Sequence, residues 1–255
     1  MKPYDQIIET VMADLQSELG DDLLGVLLVG SLAYGIPRPH SDIDLFALIR
    51  PAWRQRRTLF VDGVEVEIFL NPVQQVRAEF RDTDAPATIA MFAQGRILFD
   101  PTGLVKQLVH EAQDIWQRPR PAVVPGTYAH FSLRHTPVDL LKDAQDLLEV
   151  DEDAAEWVMF AALQSALNAY YHIQRRWSVR PKHQLSDLEE HAPDLALLVR
   201  RILSGQSSIQ ERYMALESLI DQVLEPIGGR LGEWRSAPES VAASAPETIH
   251  DQRMN

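Results

Sequence analysis

The sequence predicts an α/β (α+β) domain built on a sheet, followed by an all-α helical bundle, and three observations predict it. Up to residue 118, short runs of aliphatic and β-branched residues alternate with segments of helical period. Three prolines and a glycine then fall within the nine residues from Arg118 to Gly126, the composition of a domain boundary. Beyond Gly126 the apolar spacing is helical throughout. The expected organisation is a first domain over 1–118, a helical domain over 126–235 and a disordered tail over 236–255, which is rich in Ser, Ala, Pro and Glu.

In chain order, Ile7, Ile8, Val11, Met12, Leu15 and Leu19 lie at helical spacing before Gly20 and predict an amphipathic helix over 4–19. The run Leu23–Val29 predicts a buried strand that stops at Gly30-Ser31, with a short helical turn over 31–35. Backbone N–H groups at the start of such a turn favour an anion such as phosphate. A strand follows in Ile43–Ile49. Arg50, Arg54, Arg56 and Arg57 read as a solvated loop, or else as a phosphate contact.

Asp62-Gly63 between Thr58–Val61 and Val64–Leu70 predicts a tight hairpin. Helices are expected over 72–80, started by Asn71-Pro72, and over 85–94, stopped by Gly95. A short strand at Ile97–Phe99 and a helix over 102–117 complete the first domain. In the second, Tyr128–Val150 predicts a helix bent near Pro137, and Asp151 caps a helix running to Trp177. Further helices are expected over 185–191, 193–203 and 209–224, giving a bundle of four or five helices whose core takes Trp157, Tyr170, Tyr171 and Trp177.

Composition narrows the function. The 255 residues are 45% hydrophobic and 24% charged, as in ordinary globular proteins. The absence of cysteine excludes disulfides and thiolate chemistry and suits a cytoplasmic setting. Met1–Glu18 carries acids and lacks an unbroken apolar core, so it does not read as a signal peptide. No run reaches the roughly 18 apolar residues of a membrane span. A net charge of −13 argues against nucleic acid as a partner and suits a polycationic small molecule.

The chemistry-bearing residues sit in Ser41-Asp42-Ile43-Asp44-Leu45. On a strand, Ile43, Leu45, Ala47 and Ile49 share one face and both carboxylates the other. Paired carboxylates repel unless a cation lies between them, and magnesium held by one or two carboxylates plus substrate phosphates matches that arrangement. Glu65, Glu67 and Phe69 repeat the pattern on the later strand, so two strands can present acids on one face.

The segment from Gly30-Ser31 through Ser41-Asp42-Ile43-Asp44-Leu45 resembles the Gly-Ser to Asp-x-Asp signature of the nucleotidyltransferase superfamily with the DNA polymerase beta-like fold. Within it, the segment is most similar to the aminoglycoside adenylyltransferases. The resemblance implies a mixed sheet and a transfer of a nucleoside monophosphate from ATP to a hydroxyl. It implies two magnesium ions on Asp42, Asp44 and a third acid, with nucleotide contacts at Gly30, Ser31 and Ser41. Glu67 is the best match for the third acid, as ligand or base, with Glu65 as its rival. Arg180-Pro181-Lys182-His183 is similar to the basic loop that brings a lysine, here Lys182, to the triphosphate. The implied partners are ATP and a small-molecule hydroxyl acceptor such as an antibiotic, for a monomer or homodimer. Arg176 and His183 also fit a loose Arg-x6-His pattern of toxin bundles that partner nucleotidyltransferases, which leaves a protein- or tRNA-modifying role as the alternative, beside a non-catalytic nucleotide-binding module.

Overall fold

A computed structural model describes residues 3–35, 40–83 and 85–235. The chain forms two compact units: residues 1–121 with Arg175–Trp177, and residues 122–174 with the chain from Ser178 onward. The expected tail over 236–255 lies outside the described residues, as do Ile36–Pro39 of the Gly-Ser to Asp-x-Asp segment.

In the first unit, α1 (Pro3–Leu19) leads to β1 (Leu23–Val29), the four-residue α2 (Gly30–Ala33) and β2 (Ile43–Ile49). Next come β3 (Gln55–Val61), β4 (Val64–Pro72), α3 (Val73–Glu79), α4 (Ala87–Gln94), β5 (Arg96–Phe99) and α5 (Leu104–Trp116). The five strands form one sheet in the order β3-β4-β2-β1-β5. Strands β2 and β4 run parallel and the remaining neighbours antiparallel, so the sheet is mixed.

Period-two patterning sorts the sheet into two faces. Ile43, Leu45, Ala47 and Ile49 of β2, with Val66, Ile68 and Leu70 of β4, join Ile7, Ile8, Val11 and Leu15 of α1 in one core. The other face sends Leu27, Val29, Phe46 and Leu48 against Val76, Ile89, Phe92, Val105 and Leu108 of the α3–α5 helices. Phe92 fixes that layer by meeting Phe46 edge-on at 4.9 Å and Phe80 at 5.4 Å.

The second unit holds α6 (Tyr128–Leu147), α7 (Glu152–Ile173), α8 (Pro181–His191), α9 (Pro193–Ile202) and α10 (Ile209–Leu224). Thr127 and Asp151 cap α6 and α7 by accepting the backbone N–H groups of His130 and Ala154. Ser208 and Glu211 form a complete capping box at α10. Leu141, Met159, Leu163, Tyr171, Leu188, Leu216 and Ile220 are among the residues that fill the shared core. No helix of the described residues is long and apolar enough to cross a membrane.

Several expected boundaries and placements move. Helix α3 begins after Pro72, which is its N-cap without a side-chain bond, while Asn71 stays in β4. The stretch with Arg56 and Arg57 is strand, not loop. Arg57 pairs with Glu18 of α1 at 2.6 Å and, chiefly through that hydrogen bond, holds Glu18 below the usual carboxylate range.

Helix α6 runs through the buried Pro137 and stops at Leu147. Helix α7 ends at Ile173, four residues short of Trp177, because Arg175 turns left-handed at φ 53°. Trp177 belongs to the first unit, stacked on Trp116 at 5.5 Å with its indole N–H donated to the Arg118 carbonyl. Trp157 is 78% exposed on α7, not in the core, whereas Tyr170 and Tyr171 are buried as expected.

The fully buried Tyr171 donates its hydroxyl to Asp187 at 2.9 Å, tying α7 to α8. Tyr171→Phe keeps the ring and removes this bond. It is expected to lower stability by about 1 to 2 kcal/mol, read as a fall in the urea midpoint at unchanged slope.

Candidate active site

The parallel pairing of β2 with β4 sets Asp44 directly beside Glu67, and the antiparallel pairing of β1 with β2 sets Val29 beside Asp44. Asp42 precedes β2 by one residue, on the same face as Asp44. One carboxylate oxygen from each of Asp42, Asp44 and Glu67 lies within 4.8 Å of the other two. Asp44 is 4% exposed, so the cluster has a buried centre and partly open flanks.

Glycine at position 30 is what makes room for it. Gly30 takes φ 70°, and a Cβ built there would fall 2.0 Å from Asp44 Oδ2 and 2.9 Å from its Cγ. No side chain fits without displacing that carboxylate. Gly30 and Ser31 also open α2, where backbone N–H groups have no acceptor within the helix. Ser31, 7% exposed, donates its hydroxyl to Ser41 at 3.0 Å and so fastens the turn after β1 to the residue before Asp42.

Three carboxylates this close repel by about 3 kcal/mol per pair at an effective dielectric near 20. One cation already stands at the rim: Arg56 of β3 donates through Nη2 to both oxygens of Glu67 at 2.7 Å. Its guanidinium also sits 4.9 Å from the centre of the Phe69 ring. Arg56 is 62% exposed, so water weakens its compensation. Even at full strength it leaves two unbalanced negative charges, the charge of one divalent ion. The donors are all oxygen and share an anionic centre, which fits magnesium.

The two candidate glutamates take different surroundings. Glu67 joins the cluster, while Glu65 is exposed and pairs with Phe60 across the hairpin. Lys182 is exposed in the first turn of α8, behind Pro181 at its start, so the expected basic loop is helix. Arg176 and His183 fall in different units. Glu156 of α7 is engaged by Arg212 at 2.6 Å and held below the usual carboxylate range by that bond.

Arg56 is the site residue that the sequence reading did not single out. Its signal was the hairpin: a two-residue turn sets Val61 opposite Val64, and counting back sets Thr58 opposite Glu67 and Arg56 opposite Phe69. From there a long side chain reaches the diagonal Glu67.

No protein-family model matches the chain, and no curated protein matches it. Among solved structures, the chain is similar to a nucleotidyltransferase-like protein from Exiguobacterium sibiricum 255-15, at 12% identity and a TM-score of 0.46. That match covers 86% of this chain and 74% of the other. A likeness of that extent carries no chemistry across, and the functional reading rests on the site itself.

Gly30→Ala and Arg56→Gln are expected to move metal affinity in opposite directions. The first displaces Asp44 and weakens manganese binding by about tenfold or more. The second removes a competing positive charge and tightens binding a few-fold. Titration with manganese followed by electron paramagnetic resonance measures both.

Proposed function

We propose that this protein transfers a nucleoside monophosphate, AMP from ATP, to a hydroxyl of a small molecule and releases pyrophosphate. The observation that carries this reading is the group Asp42, Asp44 and Glu67, with oxygens within 4.8 Å on neighbouring strands beside a glycine that admits no side chain. An oxygen-only cluster on a sheet, next to a Gly-Ser turn with free N–H groups, is suited to a metal–triphosphate and to little else.

In the reaction, the acceptor hydroxyl oxygen forms a bond to the α-phosphorus. The bond from that phosphorus to the oxygen bridging the β-phosphate breaks, and its electron pair leaves with pyrophosphate. Gly30 and Ser31 hold the phosphates at the β1 side of the cluster, and Ser41, bonded to Ser31, keeps that turn in register. Asp42, Asp44 and Glu67 hold magnesium, which when bound supplies positive charge to the transferring phosphoryl group and its leaving oxygen. Glu67, at the β4 side, is either the third ligand or the acceptor of the hydroxyl proton, which otherwise passes to water. No covalent enzyme intermediate is required.

Asp42→Asn or Asp44→Asn is expected to abolish pyrophosphate release with magnesium–ATP and a panel of hydroxyl compounds, with the circular dichroism spectrum unchanged. Full turnover in either variant refutes the assignment.

Glu67→Gln is expected to lower kcat by a factor of about 100 or more, the scale of a lost general base. Glu65→Gln is expected to cost far less, because its side chain stands outside the cluster. Manganese affinity separates the roles of Glu67: a ligand's loss weakens it, and a base's loss leaves it unchanged.

A further inference from the structure

Beyond the acid cluster, on the side of β4 and β3, the same face of the sheet opens into a cleft of about 620 Å3, in the size range of small-molecule sites. Phe46 and Phe69 line it, each two residues past an acid of the cluster on the same strand face, about 6.5 to 7 Å further along.

Burial divides the lining into a floor and a rim. Phe46, Phe69, Asn71, Thr88 and Met91 are buried or half-buried and uncharged, and they form the floor. Beside them the half-buried Glu79 is fixed in place, one oxygen accepting from Thr88 at 2.6 Å and the other from Gln75 at 2.7 Å. The other charged residues, Arg54, Arg56 and Asp82, are exposed at the rim, where water and salt screen them. Arg56 already bonds Glu67. Two guanidinium groups against two carboxylates leave the lining without net charge.

That balance decides which ligand gains by entering. An ionised ligand gives up its hydration there and meets no fixed excess of opposite charge to offset the loss. Apolar surface, by contrast, gains by leaving water against Phe46, Phe69 and Met91. Asn71 and Thr88 suit a neutral polar group: an amide both donates and accepts, and a hydroxyl that donates to Glu79 keeps its capacity to accept.

The geometry of displacement gives the cleft its place. Attacking and leaving oxygens lie on opposite sides of the transferring phosphorus. Gly30 and Ser31 stand on the β1 side of Asp44 and the cleft on the β4 side, so phosphates held at the first leave the second for the incoming hydroxyl.

We infer that the cleft floored by Phe46, Phe69, Asn71, Thr88 and Met91 seats the acceptor, and that the acceptor is an uncharged hydroxyl compound with an aromatic or alicyclic body. The inference rests on the transfer reading above. It replaces the polycation suggested by the chain's overall charge, because the lining itself is balanced. A ring seated over Phe69 directs its hydroxyl along the strand face toward Glu67.

Three probes share one ring and one hydroxyl and differ in charge: neutral 4-hydroxyphenylacetamide, cationic tyramine and anionic 4-hydroxyphenylacetate. Their binding to the full chain is measured by nuclear magnetic resonance titration, for wild type, Met91→Ala and Ala87→Trp. Calorimetry measures the binding of magnesium with α,β-methylene-ATP, a nucleotide that cannot be turned over. The amide is expected to bind at least about fivefold more tightly than either ion, and to bind equally well with the nucleotide present. Met91→Ala removes part of the apolar floor and is expected to weaken the amide about threefold or more. Ala87 is exposed at the mouth, so Ala87→Trp narrows the entrance without disturbing the core, and it is expected to weaken all three probes. Both variants are expected to keep nucleotide affinity within about twofold. Either ion binding as tightly as the amide, an amide affinity unmoved by Ala87→Trp, displacement of the amide by the nucleotide, or no binding of any probe overturns the inference and leaves the transfer reading standing. Failure of wild type to bind the magnesium–nucleotide while the amide binds as expected overturns the transfer reading, and the cleft's acceptor role with it.

Discussion

Mutual repulsion among Asp42, Asp44 and Glu67 is the constraint around which the first unit is built. Three carboxylates do not stay within 4.8 Å of one another unless the backbone leaves them no alternative. The sheet supplies that restraint by placing β4 between β2 and β3, so that Asp44 and Glu67 become direct neighbours in a parallel pair. Apolar packing secures the strands from both sides, with α1 on one face and the α3–α5 layer on the other. The stability of the two cores thus holds together a charge arrangement that is unfavourable by itself, a cost that a bound cation would relieve.

Much of this was legible in the sequence, because strand patterning has a period of exactly two and a side chain's face follows from its number. The alternation in 43–49 and 64–70 sorted the aliphatic residues onto one face and the acids onto the other, although in β2 both faces are buried, and the Asp62-Gly63 turn gave the hairpin. What alternation cannot give is which strands lie side by side. The choice between Glu65 and Glu67 needed the pairing of β2 with β4, which joins strands that are not consecutive in the chain. Arg56 was hidden for a related reason: its partner is diagonal across a hairpin, and a run of arginines reads as solvent-facing until the register is applied.

The helical unit was less legible in its details. Helical spacing located all five helices, but aromatic residues misled, since Trp157 is mostly exposed and Trp177 packs elsewhere. A large aromatic side chain signals burial only on average. Proline misled in the opposite direction: Pro181 marked a loop in the sequence but starts α8, as its fixed φ and missing N–H allow at a first helical position.

The placement of Arg175–Trp177 bears on how this protein can be dissected. Trp177 reaches its stack on Trp116 after 60 intervening residues, and Arg175 exchanges backbone and side-chain hydrogen bonds with Arg120. Neither unit is therefore a continuous stretch of chain. A gene fragment cut at the proline-rich boundary would yield a first unit with one face of Trp116 stripped bare and the Arg118 carbonyl without its indole donor. Limited proteolysis at that boundary would leave the C-terminal piece carrying Arg175–Trp177, three residues that belong to the first unit. The first unit is closed by a clasp encoded in the middle of the helical half.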